Sequence, residues 1–199
     1  MLVSALTIGL LAAGAPKNLL ANGDFSRGYR GFTTLYGRVD KVWGDGTYCI
    51  VSDTIQAHPG ACSFRDHKTG HGKMMVINGS ASPGLPFWIE TIKVQPNHHY
   101  TFTGWAASWS LSIADGKPID TSPARIALRV NGKHINEPFA VSEKSGNWTK
   151  FSYDWDSGKE TEAKIWLTDV NQEVQGNDFA IDELSFTESG PQVASLPRN

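Results

Sequence analysis

The chain has 199 residues, is 40% hydrophobic and 19% charged, and carries a formal net charge of -2 with no long basic run. That length is enough for one domain with a full core and short tails. The charge balance argues against a phosphate-backbone binder, which needs clustered Lys and Arg, so no nucleic-acid partner is expected.

Residues 2–13 are almost entirely apolar, and Ala12-Ala13-Gly14-Ala15 supplies the small residues that a signal peptidase cuts. The run is too short to span a bilayer stably. Residues 1–16 therefore read as a signal peptide, the alternative being a buried first strand. The chain is expected to be secreted or extracellular, with the periplasm as a further possibility, and to have no stable membrane span once mature. Cys49 and Cys62 follow, an even count that an oxidising compartment would join in a disulfide. The alternative is two buried free thiols.

Beyond this point no helix-period apolar stretch of useful length occurs. Pro86 and Pro96 bracket an apolar run over residues 87–94. Tyr100-Thr101-Phe102-Thr103, Ile126-Ala127-Leu128-Arg129-Val130, Phe151-Ser152-Tyr153-Asp154-Trp155 and Ala163-Lys164-Ile165-Trp166-Leu167 alternate with period two. Asn131-Gly132 after the second of these is a hairpin signal. Short alternating runs separated by Gly, Pro, Asn and Asp describe an all-β antiparallel β-sandwich over residues 17–189. In the last strand, Phe179 and Ile181 share one parity while Leu184 and Phe186 share the other. A period-two strand cannot bury both pairs, so a bulge is predicted near Asp182-Glu183. Residues 190–199 are polar with two Pro and read as a disordered tail.

Several segments resemble one family. Asn18-Leu19-Leu20-Ala21-Asn22-Gly23-Asp24-Phe25-Ser26 resembles the opening strand, and Gly176-Asn177-Asp178-Phe179-Ala180-Ile181-Asp182-Glu183-Leu184-Ser185-Phe186 the closing strand, of galactose-binding-like (jelly-roll) carbohydrate-binding modules. Asp66-His67-Lys68-Thr69-Gly70-His71-Gly72-Lys73-Met74 is similar to a Gly-rich turn of secreted bacterial members, and Tyr100–Phe102 with Trp105–Ser108 to their central strand. The resemblance implies a structural calcium ion where the first and last strands meet. Its expected ligands are Asp24 through its backbone carbonyl and Asp182 through its carboxylate, with Asp66 and Thr69 assisting. Ser26 stands where many relatives carry Glu, which removes a charge that Asp66 or Asp178 would have to replace.

The chain has seven Trp, more than a sandwich core of this size needs. With Tyr100 and Phe102 inward, Trp105 faces outward, and Trp109 follows if the strand stays regular. With Ile165 and Leu167 inward, Trp166 faces outward; with Leu128 inward, so does Arg129. Trp105, Trp109, Arg129 and Trp166 are thus expected to form one ligand face, the alternative being Trp residues covered by a loop. Aromatic rings stack on the C–H faces of sugars, and Arg supplies a polar partner. The expected function is non-catalytic binding of a neutral or weakly charged glycan or polysaccharide by a monomer. A structural or adhesive module is the alternative. A polysaccharide-cleaving enzyme ranks third, because no nucleophile elbow or paired-carboxylate motif is present.

Overall fold

The computed structural model describes residues 16–191 apart from Pro83 and Val174, so all but the last residue of the predicted export segment and all but the first two residues of the predicted tail lie outside the described residues. The elements are β1 (Gly37–Arg38), β2 (Thr47–Val51), the short α1 (Thr54–Ala57), β3 (Met74–Asn78), β4 (Pro86–Lys93), β5 (His98–Ser108), β6 (Ser112–Ala114), β7 (Lys117–Ile119), β8 (Arg125–Val130), β9 (Lys133–Ala140), β10 (Thr149–Asp156), β11 (Glu162–Asp169) and β12 (Phe179–Pro191). They build a six-stranded sheet in the order β1-β2-β3-β12-β5-β10 and a four-stranded sheet in the order β4-β11-β8-β9, with β6-β7 a separate hairpin. The two sheets stack as a β-sandwich. Every pairing is antiparallel except the short β1–β2 contact. β12 runs through Gly190 and Pro191, so the part of the predicted tail that is described continues the last strand.

The alternating runs form the core between the sheets. Tyr100, Phe102, Phe151 and Phe186 from one sheet meet Trp88, Ile126, Leu128, Ile165 and Leu167 from the other, all nearly inaccessible to solvent. Asn131 and Gly132 both take positive φ, 51° and 81°, and close the β8–β9 hairpin with Val130 opposite Lys133. Two positive φ values in a two-residue loop match the twist of the strands that it joins. The bulge in β12 is present: Asp182 opposes Trp105 while Ser185 opposes Thr103, and Glu183 sits at φ 50°. The extra residue lets Ile181 and Leu184 both reach the core. A second irregularity lies between Leu167 and Thr168, where β4 inserts a residue. It turns both Phe87 and Trp88 inward.

A smaller cluster covers part of the outer face of the six-stranded sheet. Val42, Cys49, Ala57, Ala61, Met74, Val76, Trp109 and Ala180 are its buried members. α1 lies over them, capped by Asp53, whose carboxylate accepts from the Ile55 N–H. Cys49 and Cys62 are free thiols, which corrects the expected disulfide. Cys49 is buried in this second cluster, whereas the Cys62 sulfur lies at the loop around Gly146, beside Phe64. Sequence proximity closed no bridge because α1 separates the two residues and each packs into different surroundings.

Candidate functional site

The outer face of the four-stranded sheet carries a row of registered neighbours. Trp166 in β11 lies opposite Ile89 in β4 on one side and Arg129 in β8 on the other, and Arg129 lies opposite His134 in β9. At a strand spacing of about 4.8 Å the row extends roughly 14 Å across the sheet. Trp166 and Arg129 are half-buried. The Trp166 indole N–H and the Arg129 Nε–H are covered and find no partner. The Lys164 Nζ stands 5.1 Å from the centroid of the Trp166 ring. Thr33 bridges to Ile89 and extends the face beyond the edge strand.

Trp105 and Trp109 do not join this row, which corrects the expectation of a single ligand face. β5 belongs to the six-stranded sheet and β8 and β11 to the four-stranded one, so the outward residues of β5 lie on the opposite side of the sandwich. Alternation says which way a side chain leaves its own sheet and is silent on which sheet that is. The His67 ring stacks on Trp105 at 3.7 Å between centroids and 17° between planes, and Trp148 meets His67 edge-on. Trp109 is 4% exposed, donates its indole N–H to the Ile77 carbonyl and stacks on His58. It belongs to the second cluster. The exposed tryptophan is Trp43, 65% accessible, which sequence alternation missed because it sits in a loop.

The five residues expected around a cation do meet. Asp24, Ser26, Asp66, Thr69 and Asp182 line one cavity of about 210 Å³ together with Lys68, Gly72, Lys73 and Glu183. The opening and closing motifs create it. Leu19 donates to the Phe186 carbonyl, Leu184 donates to the Gly23 carbonyl, and the Asn18 side chain bridges Leu184 and Phe186. A Cβ on Gly23 would stand 1.8 Å from the Leu184 oxygen, so only glycine permits that approach. Asp66 accepts from the Thr69 hydroxyl and from the N–H groups of Thr69 and Gly72, and these hydrogen bonds hold its carboxyl below the usual range against the push of burial. Asp182 is 2% exposed and accepts from the His67 and Glu183 N–H groups. Burial pushes it up to about 7, the negative charges of Glu183 and Asp66 add to the push, and those N–H groups oppose it.

The donors facing this cavity are oxygens of the class that calcium takes. They are not a ready-made shell. Among the described residues no three carboxylate, imidazole or thiol groups converge closely enough to hold a metal, and Lys68 enters the cavity to pair with Glu183 at 3.2 Å. The donor chemistry fits; hydroxyl and backbone carbonyl oxygens would have to complete the shell. Asp178 does not line the cavity.

Asp178, itself half-buried, belongs instead with the buried Asp120 and Asp169 at the ends of the strands. Burial pushes Asp178 up to about 7 and Asp169 up to about 6, and Asp120 is also raised by burial. The charged groups that bear on these three are themselves acidic. Asp120 accepts from the Ser108 hydroxyl and the Ser122 N–H, and Asp169 from the N–H groups of Arg125 and Asn171. These bonds tie the connecting loops to the strand ends.

No protein-family model and no curated protein matches the chain. Solved structures do. The CBM22-1 xylan-binding domain of Xyn10C from Paenibacillus barcinonensis superposes with TM-score 0.52 at 14% identity, over 92% of this chain and 100% of that one. The CBM22-1–CBM22-2 tandem of the same protein gives 0.53 at 12% identity, over 94% of this chain and 50% of the tandem, so the chain spans half of its length. A cyclase from Fischerella sp. TAU, in complex with 4-(1H-indol-3-yl)butan-2-one, gives 0.56 at 13% identity, over 82% of this chain and 87% of that one. At such identities the likeness establishes the fold, which resembles carbohydrate-binding modules and also serves a cyclase. Among the described residues no helix is long and apolar enough to cross a membrane.

Proposed function

We propose that the chain is a non-catalytic glycan-binding module whose contact surface is the outer face of the four-stranded sheet around Trp166 and Arg129. The observation that carries this reading is the registered row of Ile89, Trp166, Arg129 and His134. It places an aromatic ring beside a guanidinium on a sheet face. A ring of that kind stacks on the flat face of a sugar, and the guanidinium serves the sugar's oxygens. The opposite face does not offer this, because His67 lies on Trp105 and α1 lies over Trp109. The test is calorimetry against a panel of plant, algal and bacterial polysaccharides. Trp166→Ala is expected to weaken binding by about 2 kcal/mol or more while the fold survives. A wild-type protein that binds nothing across the panel would point to a structural or adhesive module. For that second reading, the exposed Leu111 and Ile113 at the β6–β7 hairpin are the supporting feature.

The same proposal includes a structural calcium ion held by Asp182 and Asp24, with Asp66, Thr69 and Ser26 assisting. It also includes export guided by residues 1–16, which N-terminal sequencing of the mature chain would test. The calcium ion would stabilise the junction of the first and last strands and take no part in glycan contact.

A further inference from the structure

The outer face of the four-stranded sheet is cationic, although the chain as a whole has a formal net charge of -2. Register establishes this. Ala163, Ile165 and Leu167 of β11 are buried, so Glu162, Lys164, Trp166 and Thr168 leave the strand on the other side. Ile126, Leu128 and Val130 of β8 are buried, which turns Arg125, Ala127 and Arg129 outward. In β4, Lys93 lies opposite Glu162 and Thr91 opposite Lys164. The face therefore presents Arg129 and Lys164 beside Trp166, with Lys93 and Arg125 further along their strands toward opposite ends of the sheet.

The acids of these four strands do not neutralise it. Glu90 shares the side of Trp88 and Ile92 and accepts from the Ala21 N–H. Asp169 is buried at the strand end. Glu137 is exposed on the edge strand β9 and Glu162 lies opposite Lys93, so the acids left to this face are two against four cations. The ion pairs among the described residues, Arg65–Asp53, Lys68–Glu183, His98–Glu188 and His99–Asp156, involve none of the cations on this face. One unpaired surface cation is ordinary. Two beside one aromatic ring, with two more toward the ends of the same face, outnumber the acids there and make a surface that attracts anions. A guanidinium also matches the planar fork of a carboxylate better than it matches a hydroxyl.

We infer that this face selects glycans carrying carboxylates, polymers of uronic acids, over neutral ones. The inference rests on the reading of the face as a glycan contact. Trp166 takes the sugar ring, Arg129 the carboxylate, and Lys164 and Lys93 the charges of neighbouring rings. The test is calorimetry with polygalacturonate and alginate, with each polymer after chemical reduction of its carboxyl groups, and with dextran sulfate as a general polyanion. At least one uronate polymer is expected to bind at least tenfold more tightly than its reduced form and than dextran sulfate. Arg129→Met, or Lys164→Met should the first variant fold poorly, is expected to lower affinity for the uronate polymer several-fold more than affinity for its reduced form, and so to remove most of that preference. Trp166→Ala is expected to weaken both. Equal affinity for a polymer and its reduced form would overturn the acid selectivity and leave glycan binding standing. Equal or tighter binding to dextran sulfate would reduce the effect to general charge attraction and also overturn it. Binding to neutral polymers alone would overturn it as well, and binding to no polymer at all would overturn both readings together.

Discussion

Replacing Trp109 separates a core tryptophan from a ligand-stacking one. The indole is 4% exposed, packs with Val42, Ala57, Met74 and Val76, stacks on His58 and donates to the Ile77 carbonyl. Trp109→Ala removes that contact area and leaves a cavity under α1, a change that costs about 3–5 kcal/mol in well-packed cores. For a domain of this size each kcal/mol moves the melting temperature by about 2–4 °C, so a fall of about 6–20 °C is expected. Trp109→Phe keeps most of the volume, loses the hydrogen bond and should cost roughly 1–3 kcal/mol. Trp166→Ala provides the contrast: its ring is half-buried on an outer face, and its removal should cost no more than about 1–2 kcal/mol. Differential scanning calorimetry of the three variants reads these differences directly. If Trp109→Ala melts with the wild type while Trp166→Ala collapses, the assignment of core and face is reversed and the reasoning from burial fails.

Two further outcomes follow from the buried titratable groups. Asp169 and Asp178 are pushed up to about 6 and about 7, so the fold favours their protonated forms. The stability that this confers is complete below the ordinary carboxylate range and is lost as pH rises through 6–7. Unfolding free energies from denaturant titrations in chelator should therefore increase from pH 8 to pH 5, by an amount on the order of a few kcal/mol, and Asp178→Asn should flatten the slope; an unchanged slope in that variant refutes the attribution. The thiols give the other outcome. Burial pushes Cys49 up to about 11 and raises Cys62 as well, so a thiol reagent at pH 8 should reach Cys49 only after unfolding and the half-buried Cys62 slowly in the folded chain. A non-reduced mass two hydrogens lower would show the bridge that the fold lacks.

The parts of the architecture that were legible in the sequence are those governed by local physics. Period-two alternation placed Tyr100, Phe102, Leu128, Ile165 and Leu167 in the core, and all are buried. Asn131-Gly132 marked its hairpin because few residue pairs tolerate two positive φ values in succession. The conflict of parity between Ile181 and Leu184 marked the bulge, since burying both requires one extra residue between them. What stayed hidden depends on long-range pairing. Nothing near Trp105 or Trp166 states that β5 and β11 enter different sheets. Nothing near Trp109 states that residues 54–57 fold over it. The cationic character of the four-stranded face was equally hidden, because Arg129 becomes a neighbour of Trp166, and Lys93 joins the same face, only once β4, β11 and β8 are placed side by side.

The division of labour between the two faces leads to one more measurable consequence. The loop over residues 66–73 is fastened to the closing strand through the His67 N–H on Asp182, and the His67 ring in turn lies on Trp105. A cation bound at Asp182 would therefore tighten the cover of the six-stranded sheet, on the far side of the sandwich from Trp166. A calcium ion held at this junction would bind the folded chain only, so saturation at 100 times the dissociation constant should add about 2.7 kcal/mol of stability and raise the melting temperature accordingly. Asp182→Ala should abolish that rise. Glycan affinity, measured at a temperature where the chain stays folded without the ion, should be the same in calcium and in chelator, because the face around Arg129 and Trp166 contains none of the cavity residues. A melting temperature indifferent to calcium would remove the ion from the proposal. An affinity that falls with chelator while the chain remains folded would mean that the two faces are coupled through the core, and that the half-buried row around Trp166 and Arg129 is not a rigid binding surface.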